Sequence, residues 1–294
     1  MSIIVRVPAT TANLGPGFDC FGVAWQLYND FEFTPGGDQL VIEGCPEEFR
    51  GENNLAWQGY LHCIRTAGLE TGGMRIRFLE TNVPVARGLG SSSALIVAGL
   101  VAANALHDLK MERRELLDIA TEIEGHPDNV APALLGGLTA SMLDGSTVYS
   151  VPFRFHERLR CAALIPDFEL STALARSVLP AQVPRQDAIF NVSRGALLLK
   201  ALETGDMSLL RPAMQDKLHQ PYRLPLMPGC RKAAALAEEL DCAFCISGAG
   251  STLLYISDRT EFFARLKAGA AERFPAWKAV ELRVDYEGGR VLEE

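Results

Sequence analysis

The sequence predicts an α+β protein of two domains. A chain of 294 residues can hold two modest domains or one large one, with a sizeable core. In the first half, strand patterns alternate with helix patterns around a glycine- and serine-rich loop at residues 84–94. In the second half, two short apolar segments joined by a Gly-Ala-Gly turn predict a β-hairpin with a helix on either side. Such a hairpin is typical of a ferredoxin-like α/β sandwich.

The elements of the first half follow from the spacing of its apolar residues. In chain order we predict strands at 3–7 and 21–33, a helix at 54–67, a strand at 74–79 and helices at 92–107 and 112–124. Asn53 or Asn54 would cap the first of these helices. The helix at 92–107 is apolar nearly all round, which predicts that it is buried.

The second half gives an equally regular pattern. In chain order we predict a strand at 161–165, helices at 188–203 and 229–240, strands at 242–247 and 252–257, a helix at 260–273 and a strand at 278–284. Val280, Leu282 and Val284 alternate as in a half-buried strand. The segment from Pro152 to Leu159 is a plausible boundary, so we place the two domains at residues 1–155 and 156–294.

Composition excludes several classes of protein. A formal net charge of −8 argues against a general nucleic-acid or membrane-surface binder. The longest apolar stretch, 94–106, is too short to span a bilayer, and the amino terminus lacks the apolar region of a signal peptide. Seven cysteines without a framework spacing are typical of free thiols in a reducing compartment. We therefore expect a cytoplasmic protein that binds neither nucleic acid nor membrane.

The glycine- and serine-rich loop is the most informative segment. It comprises Pro84, Val85, Ala86, Arg87, Gly88, Leu89, Gly90, Ser91, Ser92, Ser93 and Ala94. Glycine lets a backbone approach an anion closely, and the serines stand where the free N–H groups of a helix begin. The loop lacks the lysine of the Walker motif. A capped turn is the alternative interpretation, but the long apolar helix that follows favours a phosphate site of another class.

Five segments in the same order resemble the motifs of the GHMP kinases, and of the homoserine kinases within that family. They are residues 7–19 (Val-Pro-Ala-Thr-Thr-Ala-Asn-Leu-Gly-Pro-Gly-Phe-Asp), 84–94, 125–132 (Gly-His-Pro-Asp-Asn-Val-Ala-Pro), 216–223 (Asp-Lys-Leu-His-Gln-Pro-Tyr-Arg) and 246–252 (Ile-Ser-Gly-Ala-Gly-Ser-Thr). The resemblance runs from about residue 3 to about residue 290. Any one of these motifs could occur by chance, but five in order could not.

The resemblance implies a fold and an activity. The fold would be that of a two-domain GHMP kinase, with an N-terminal α/β domain containing a ribosomal-protein-like, left-handed βαβ feature and a C-terminal ferredoxin-like α/β sandwich. The activity would be ATP-dependent phosphorylation of the side-chain hydroxyl of L-homoserine, a step toward threonine. ATP would bind Pro84 and the loop residues from Arg87 through Ala94, with Mg²⁺ beside it. The oligomeric state stays open, a homodimer being one option.

The resemblance assigns the metal ligands to the second serine of the loop, Ser92, and to a helix glutamate. Two glutamates of the helix at 112–124 compete for this role, and each lies well to one side of an apolar stripe centred near Leu116. A solvated helix face is an equally good interpretation for each of them alone. The family phrase Ala-x-Glu falls on residues 120–122 and favours Glu122 over Glu124.

The resemblance also assigns residues to the acceptor. Those that would contact homoserine are Asn13, Asp19, His126, Asn129, Arg176, Arg223 and Gly248. An aspartate suits an ammonium group and arginines suit a carboxylate. Asn129 and Arg176 would act in catalysis, and Asp128 would be a general base if one exists. Without the resemblance, each arginine would be an ordinary surface residue and His126 a structural one.

Two other functions remain as alternatives. A GHMP kinase for mevalonate or a diphosphocytidyl polyol would need no ammonium site. A non-catalytic nucleotide-binding relative would keep the fold, but such proteins usually lose the glycines or the metal-binding hydroxyl, and this sequence retains both.

Overall fold

The computed structural model describes residues 2–293. The strands are Ile3–Ala12 (β1), Phe21–Pro35 (β2), Leu40–Glu43 (β3), Met74–Thr81 (β4), Leu138–Asp144 (β5), Thr147–Phe153 (β6), Arg160–Ile165 (β7), Ala243–Ile246 (β8), Leu253–Ser257 (β9), Lys278–Leu282 (β10) and Arg290–Leu292 (β11). The α-helices are Leu55–Thr66 (α1), Ser91–Leu106 (α2), Arg113–Glu124 (α3), Pro127–Leu135 (α4), Thr172–Ser177 (α5), Arg185–Thr204 (α6), Met207–Ala213 (α7), Gln220–Arg223 (α8), Cys230–Glu239 (α9) and Phe262–Arg273 (α10). Within these residues no helix combines the length and apolar character needed to cross a membrane.

The first sheet has seven strands and forms the N-terminal domain. Its order is β11-β1-β2-β4-β3, and β5 joins β2 and carries β6 at its other edge. The strands β3 and β4 are parallel neighbours connected through α1, which is a βαβ unit. Asn54 caps α1 by accepting a hydrogen bond from the backbone N–H of Ala56. The apolar helix α2 is buried in the core beneath this sheet, as its sequence predicts.

The second sheet confirms the ferredoxin-like sandwich. Its four antiparallel strands are ordered β10-β7-β9-β8, so the first and third strands of the domain are central and the fourth and second are at the edges. The helices α9 and α10 pack on one face of this sheet. The other face packs on α6, α7 and part of the first domain.

The chain passes from the first sheet to the second between β6 and β7. However, its last strand returns to the first sheet, where Val291 of β11 pairs with Val5 of β1. The predicted second domain, 156–294, therefore contributes a strand to the first sheet.

The first motif contains more strand than predicted, because the first predicted strand ends at residue 7. The strand β1 continues to Ala12, and its buried partners extend to Gly22 of β2. Only from Asn13, at a φ of 67°, does the backbone leave the sheet. The long strand carries Thr10 and Thr11 to the junction of the two domains.

Candidate active site

A polar cleft lies where the two domains meet, and segments from all five motifs line it. The lining residues are Asn13, Ala86, Arg87, Gly88, Gly90, Ser91, Ser92, Ser93, Glu124, His126, Asp128, Asn129, Leu170, Thr172, Arg176, Arg223, Gly248, Ala249 and Gly250. The loop before α2 forms one wall, and the turn between β8 and β9 forms the facing wall. The structure therefore brings together residues that lie more than 200 positions apart.

The start of α2 is suited to an anion. Gly90 occupies the N-cap position at a φ of 72°, so the N-cap has no side chain to cap the helix, and the first turn holds no acidic residue. The first N–H groups of the helix and the positive end of its dipole are thus available to a ligand. Ser91 and Ser92 line the cleft at this end of the helix.

The glycines of this loop serve a different purpose from the one predicted. A Cβ atom at Gly90 would collide with Oγ1 of Thr10, and one at Gly88 would collide with the carbonyl oxygen of Ser247. Both glycines have positive φ angles, which disfavour other residues. Glycine is therefore required at both positions because other protein segments pack against the loop. This requirement holds whether or not a phosphate binds there.

Three of the predicted loop residues lie outside the cleft. Leu89 and Ala94 are buried in the apolar cores, with exposed fractions of 1% and 0%. Pro84 does not line the cleft either. Arg87 does, and its Nη1 is buried without a hydrogen-bond partner in the described part of the chain, although Oε1 of Glu169 lies 3.7 Å away.

A buried chain of hydrogen bonds joins the loop to the other domain. The indole Nε1 of Trp25 donates to Oγ1 of Thr11 at 2.9 Å, and this hydroxyl lies 2.8 Å from Oγ of Ser247. The Ser247 hydroxyl donates to the carbonyl oxygen of Gly88 at 2.6 Å. The backbone N–H of Gly248 also donates to the carbonyl oxygen of Ala12. We call these contacts the interdomain clamp.

The choice between the two glutamates is corrected by the structure. Glu124 lines the cleft and accepts a hydrogen bond from Oγ of Ser93 at 2.7 Å. Burial raises the pKa of the Glu124 carboxyl, although the Ser93 hydroxyl and the nearby His126 oppose this shift. Glu122, which the sequence favoured, has a side chain that is 70% exposed and lies 3.4 Å from Nε2 of His62. Glu122 does not line the cleft, so Glu124 replaces it as the candidate metal ligand.

His126 and Asp128 form a close pair in the cleft. Nδ1 of His126 lies 2.5 Å from Oδ1 of Asp128, whose side chain is 1% exposed. Burial alone would lower the pKa of His126, but the hydrogen bond and charge of Asp128 raise it above its ordinary value. Oδ2 of Asp128 is buried without a hydrogen-bond partner among residues 2–293. The neighbouring Asn129 accepts a hydrogen bond from the Thr10 hydroxyl at 2.7 Å.

Asn13 holds two of the motifs together. Its Nδ2 donates to the carbonyl oxygen of Gly248 at 2.9 Å, and its Oδ1 accepts from the backbone N–H of Asp19 at 2.9 Å. The residue is 4% exposed. Its positive φ is one that asparagine tolerates better than most residues. Asn13 therefore shapes the cleft as well as lining it.

Asp19 and Arg176 pair with each other, although the resemblance assigns them to different groups of the acceptor. Both guanidinium nitrogens Nη1 and Nη2 of Arg176 donate to the Asp19 carboxylate, at 3.1 and 2.6 Å. The hydrogen bonds to Asp19 raise the pKa of Arg176 despite partial burial. The bidentate geometry fixes the plane of the guanidinium at the mouth of the cleft.

Arg223 is a buried cation. It is 1% exposed, and its guanidinium donates to the carbonyl oxygens of Ala175 and Gly248 at 3.1 Å each. Burial, and then repulsion from Arg176, lower the pKa of Arg223 to about 10. Nε2 of the neighbouring His219 lies 2.8 Å from the carbonyl oxygen of Gly15, and burial lowers the pKa of the His219 imidazole. A neutral His219 with its proton on Nε2 leaves Nδ1 as an acceptor for Arg223, which lies 3.4 Å away.

Comparison with known proteins agrees with this architecture. The model of the N-terminal domain of GHMP kinases matches residues 54–137, and the model of their C-terminal region matches residues 198–273. Homoserine kinase of Clostridium botulinum (strain Okra) is 43% identical over 284 residues, which cover 96% of this chain and 95% of that protein. The chain belongs to the homoserine kinases of the GHMP kinase family. It is thus a kinase of that family.

Solved structures of the family share the fold over the whole chain. The crystal structure of homoserine kinase from Cytophaga hutchinsonii matches with a TM-score of 0.88 and 29% identity, covering 99% of this chain and 97% of that one. The structure of a putative homoserine kinase from Listeria monocytogenes matches with a TM-score of 0.84 and 32% identity, covering 99% of each chain. The two-domain GHMP kinase fold is therefore confirmed.

Sequence reasoning missed several residues that the cleft uses. Leu170 and Thr172 line it from the segment around α5, which lies outside the five motifs and in which only Arg176 is predicted as a site residue. Thr10 lies within the first motif and binds Asn129, but its spacing gave no sign of that contact. Phe18 also lies in the first motif, and its ring packs beside Arg176 and Arg223.

Proposed function

We propose that this protein transfers the γ-phosphoryl group of ATP to the side-chain hydroxyl of L-homoserine in the cleft between its domains. The observation that carries the proposal is the charge pattern of that cleft. An uncapped helix N-terminus stands on one side, and Asp19, Arg176 and Arg223 stand on the other. The helix N-terminus therefore suits a phosphate, and the carboxylate and guanidinium groups beside it suit the ammonium and carboxylate groups of an amino acid.

The residues present fit a magnesium–nucleotide complex. Ser92 and Glu124 offer a hydroxyl and a carboxylate in one cleft, and Mg²⁺ prefers such oxygen ligands in small number. The uncapped N–H groups of α2 and the unpartnered Nη1 of Arg87 suit phosphate oxygens. When bound, ATP with its metal ion supplies the phosphoryl group and neutralises the charge that develops during transfer.

A second pocket next to the serines supports a site for the nucleotide base. It shares Ser91 and Ser92 with the cleft, and its surface is mainly apolar. Phe49, Phe78 and Leu95 are among the residues that line it. An apolar pocket with a few polar groups suits a purine ring attached to phosphates that lie on the helix.

The acceptor would lie between the two arginines and the phosphate loop. In this arrangement the carboxylate of homoserine meets Arg223 and Arg176, and its ammonium group meets the Asp19 carboxylate beside Asn13. The hydroxyl would then point toward His126, Asp128 and Asn129. Asp128 has one oxygen without a partner, which supports a role in orienting the hydroxyl or accepting its proton.

The experiment is a test of phosphoryl transfer to a panel of small alcohols. ADP release should require L-homoserine and should be weak with L-serine, mevalonate and glycerol at the same concentration. L-serine keeps the charged groups but is one methylene shorter, and mevalonate lacks the ammonium group. A site with charged partners rejects analogues that leave those partners unpaired. Faster transfer to mevalonate than to homoserine would overturn the proposal.

A further inference from the structure

We infer that Phe18 is a positioning residue whose aromatic ring holds Arg176 and Arg223 side by side at the cleft. The inference rests on the proposed function, since it assigns these two arginines to the acceptor. Phe18 belongs to the first motif, next to Asp19, but it does not itself line the cleft.

The ring lies at the centre of three side chains. The guanidinium carbon of Arg223 is 5.1 Å from the ring centroid, and that of Arg176 is 5.6 Å from it. The imidazole of His219 stacks on the same ring with centroids 5.4 Å apart and an interplanar angle of 26°. Because His219 also accepts from Arg223, the ring and the imidazole together fix the direction of that guanidinium.

Holding two guanidinium groups together has an electrostatic cost. Arg223 is almost fully buried, and no carboxylate among residues 2–293 forms an ion pair with it. Asp19, Asp128 and Asp216 act on it only from a distance, while Arg176 repels it. The bidentate ion pair of Asp19 goes to Arg176 instead. Arg223 therefore needs attraction from neutral groups.

An aromatic ring supplies such attraction. The face of a phenyl ring is electron-rich and attracts a cation within about 6 Å of its centroid, most strongly where water is excluded. An aliphatic side chain of similar volume would fill the space without this attraction. The backbone carbonyls of Ala175 and Gly248 complete the neutral partners of Arg223. The electronic role of Phe18 is therefore distinct from the volume that its side chain fills.

The first test compares Phe18→Leu with Phe18→Tyr, which keeps an aromatic face. We expect Phe18→Leu to raise KM for L-homoserine by roughly five- to thirtyfold, with kcat changed less and KM for ATP unchanged. Phe18→Tyr should remain within about twofold of wild type. Equal effects of the two substitutions, or an equal rise in KM for ATP, would mean that Phe18 acts only by packing.

The second test does not depend on catalysis. Phenylglyoxal modifies exposed guanidinium groups, and peptide mass spectrometry reads the rate at each arginine. Arg223 should react slowly in the wild type and in Phe18→Tyr but several times faster in Phe18→Leu, with Arg158, an exposed arginine, as the internal reference. An unchanged rate at Arg223 in Phe18→Leu would overturn the inference. If the wild type did not phosphorylate homoserine, the proposed function would fail, but this rate would still decide the role of the ring.

Discussion

At the scale of single residues, Glu124 has a carboxyl group whose charged form is disfavoured by burial. Because the pKa of the Glu124 carboxyl is raised, the folded protein keeps this carboxyl protonated to a higher pH than the unfolded chain does. The free energy of unfolding therefore falls as pH rises from the ordinary range of a glutamate through the raised pKa. In the metal-free protein, the charged form of Glu124 is therefore the form that stabilises the fold less.

Glu124→Gln should separate activity from stability. We expect kcat to fall by roughly a hundredfold or more, because the carboxylate that we propose as a metal ligand is lost. The melting temperature of the metal-free protein should rise at a pH high enough to ionise Glu124, because a neutral amide then replaces a buried charge. Glu122→Gln is the matched control and should change neither, since that side chain is exposed. The assignment fails if Glu122→Gln loses turnover while Glu124→Gln retains it.

The sequence could not decide between these glutamates. The helix itself is predicted at 112–124 and found at Arg113–Glu124. Both side chains lie beside its apolar stripe, so periodicity treats them alike. The contact that distinguishes Glu124 comes from Ser93 on another helix, 31 residues earlier, and no local pattern records it.

At the scale of elements, the loop before α2 depends on contacts that its own sequence does not reveal. Gly90 faces Thr10 of β1, and Gly88 faces Ser247 of the turn after β8. The sequence predicts the loop, the helix and the need for glycine there. From the sequence, the glycines are explained by the approach of a ligand, because the segments that pack against them are remote in sequence.

Gly90→Ala should therefore destabilise the fold itself. Gly125, at the end of α3, is the matched control, because it has a φ of 88° and a Cβ there would meet no atom within 4 Å. We expect Gly125→Ala to lower the free energy of unfolding by about 1–2 kcal/mol from backbone strain alone. Gly90→Ala should lower it clearly more, because the collision with Thr10 adds to the strain. Urea denaturation measures both, and equal losses would contradict the steric account.

Other elements escaped prediction for local reasons. The hairpin β5–β6 exposes Met142, Leu143, Tyr149 and Val151, so its apolar residues do not alternate as in a half-buried strand. The helix α4 has nine residues, begins at Pro127 and contains Pro132, which hides its helical pattern. In contrast, α2 and the hairpin β8–β9 are continuous apolar segments next to glycine-rich turns, and they lie close to their predicted positions, as α10 does.

At the scale of the whole molecule, the interdomain clamp joins the two domains at the floor of the cleft. Ser247 contributes a fully buried hydroxyl that contacts Thr11 and donates to Gly88. The last strand, β11, adds a second connection by pairing with β1. We therefore expect the two domains to unfold together.

Ser247→Ala tests the clamp. It should lower the free energy of unfolding by about 1–3 kcal/mol, because it leaves buried partners unsatisfied. Ser177→Ala is the control, since that hydroxyl is exposed and bonds only within its own short helix, and its effect should stay within about 0.5 kcal/mol. Urea unfolding followed by tryptophan fluorescence and by far-ultraviolet circular dichroism measures both variants. Equal stability of the two variants would argue against a clamp.

The central claim is that the protein phosphorylates, in this cleft, an acceptor with an ammonium group. A substitution of Asp19 tests this claim most directly. Phosphorus NMR with ATP, Mg²⁺ and L-homoserine should show ADP and a phosphomonoester for the wild type. Asp19→Asn should require roughly a hundredfold more homoserine for the same rate, because the ammonium group of the bound substrate loses its charged partner, while KM for ATP stays unchanged. Its melting temperature, recorded on the same sample, separates this effect from unfolding. No phosphomonoester from the wild type, or an unchanged homoserine KM in a folded Asp19→Asn protein, would contradict the account.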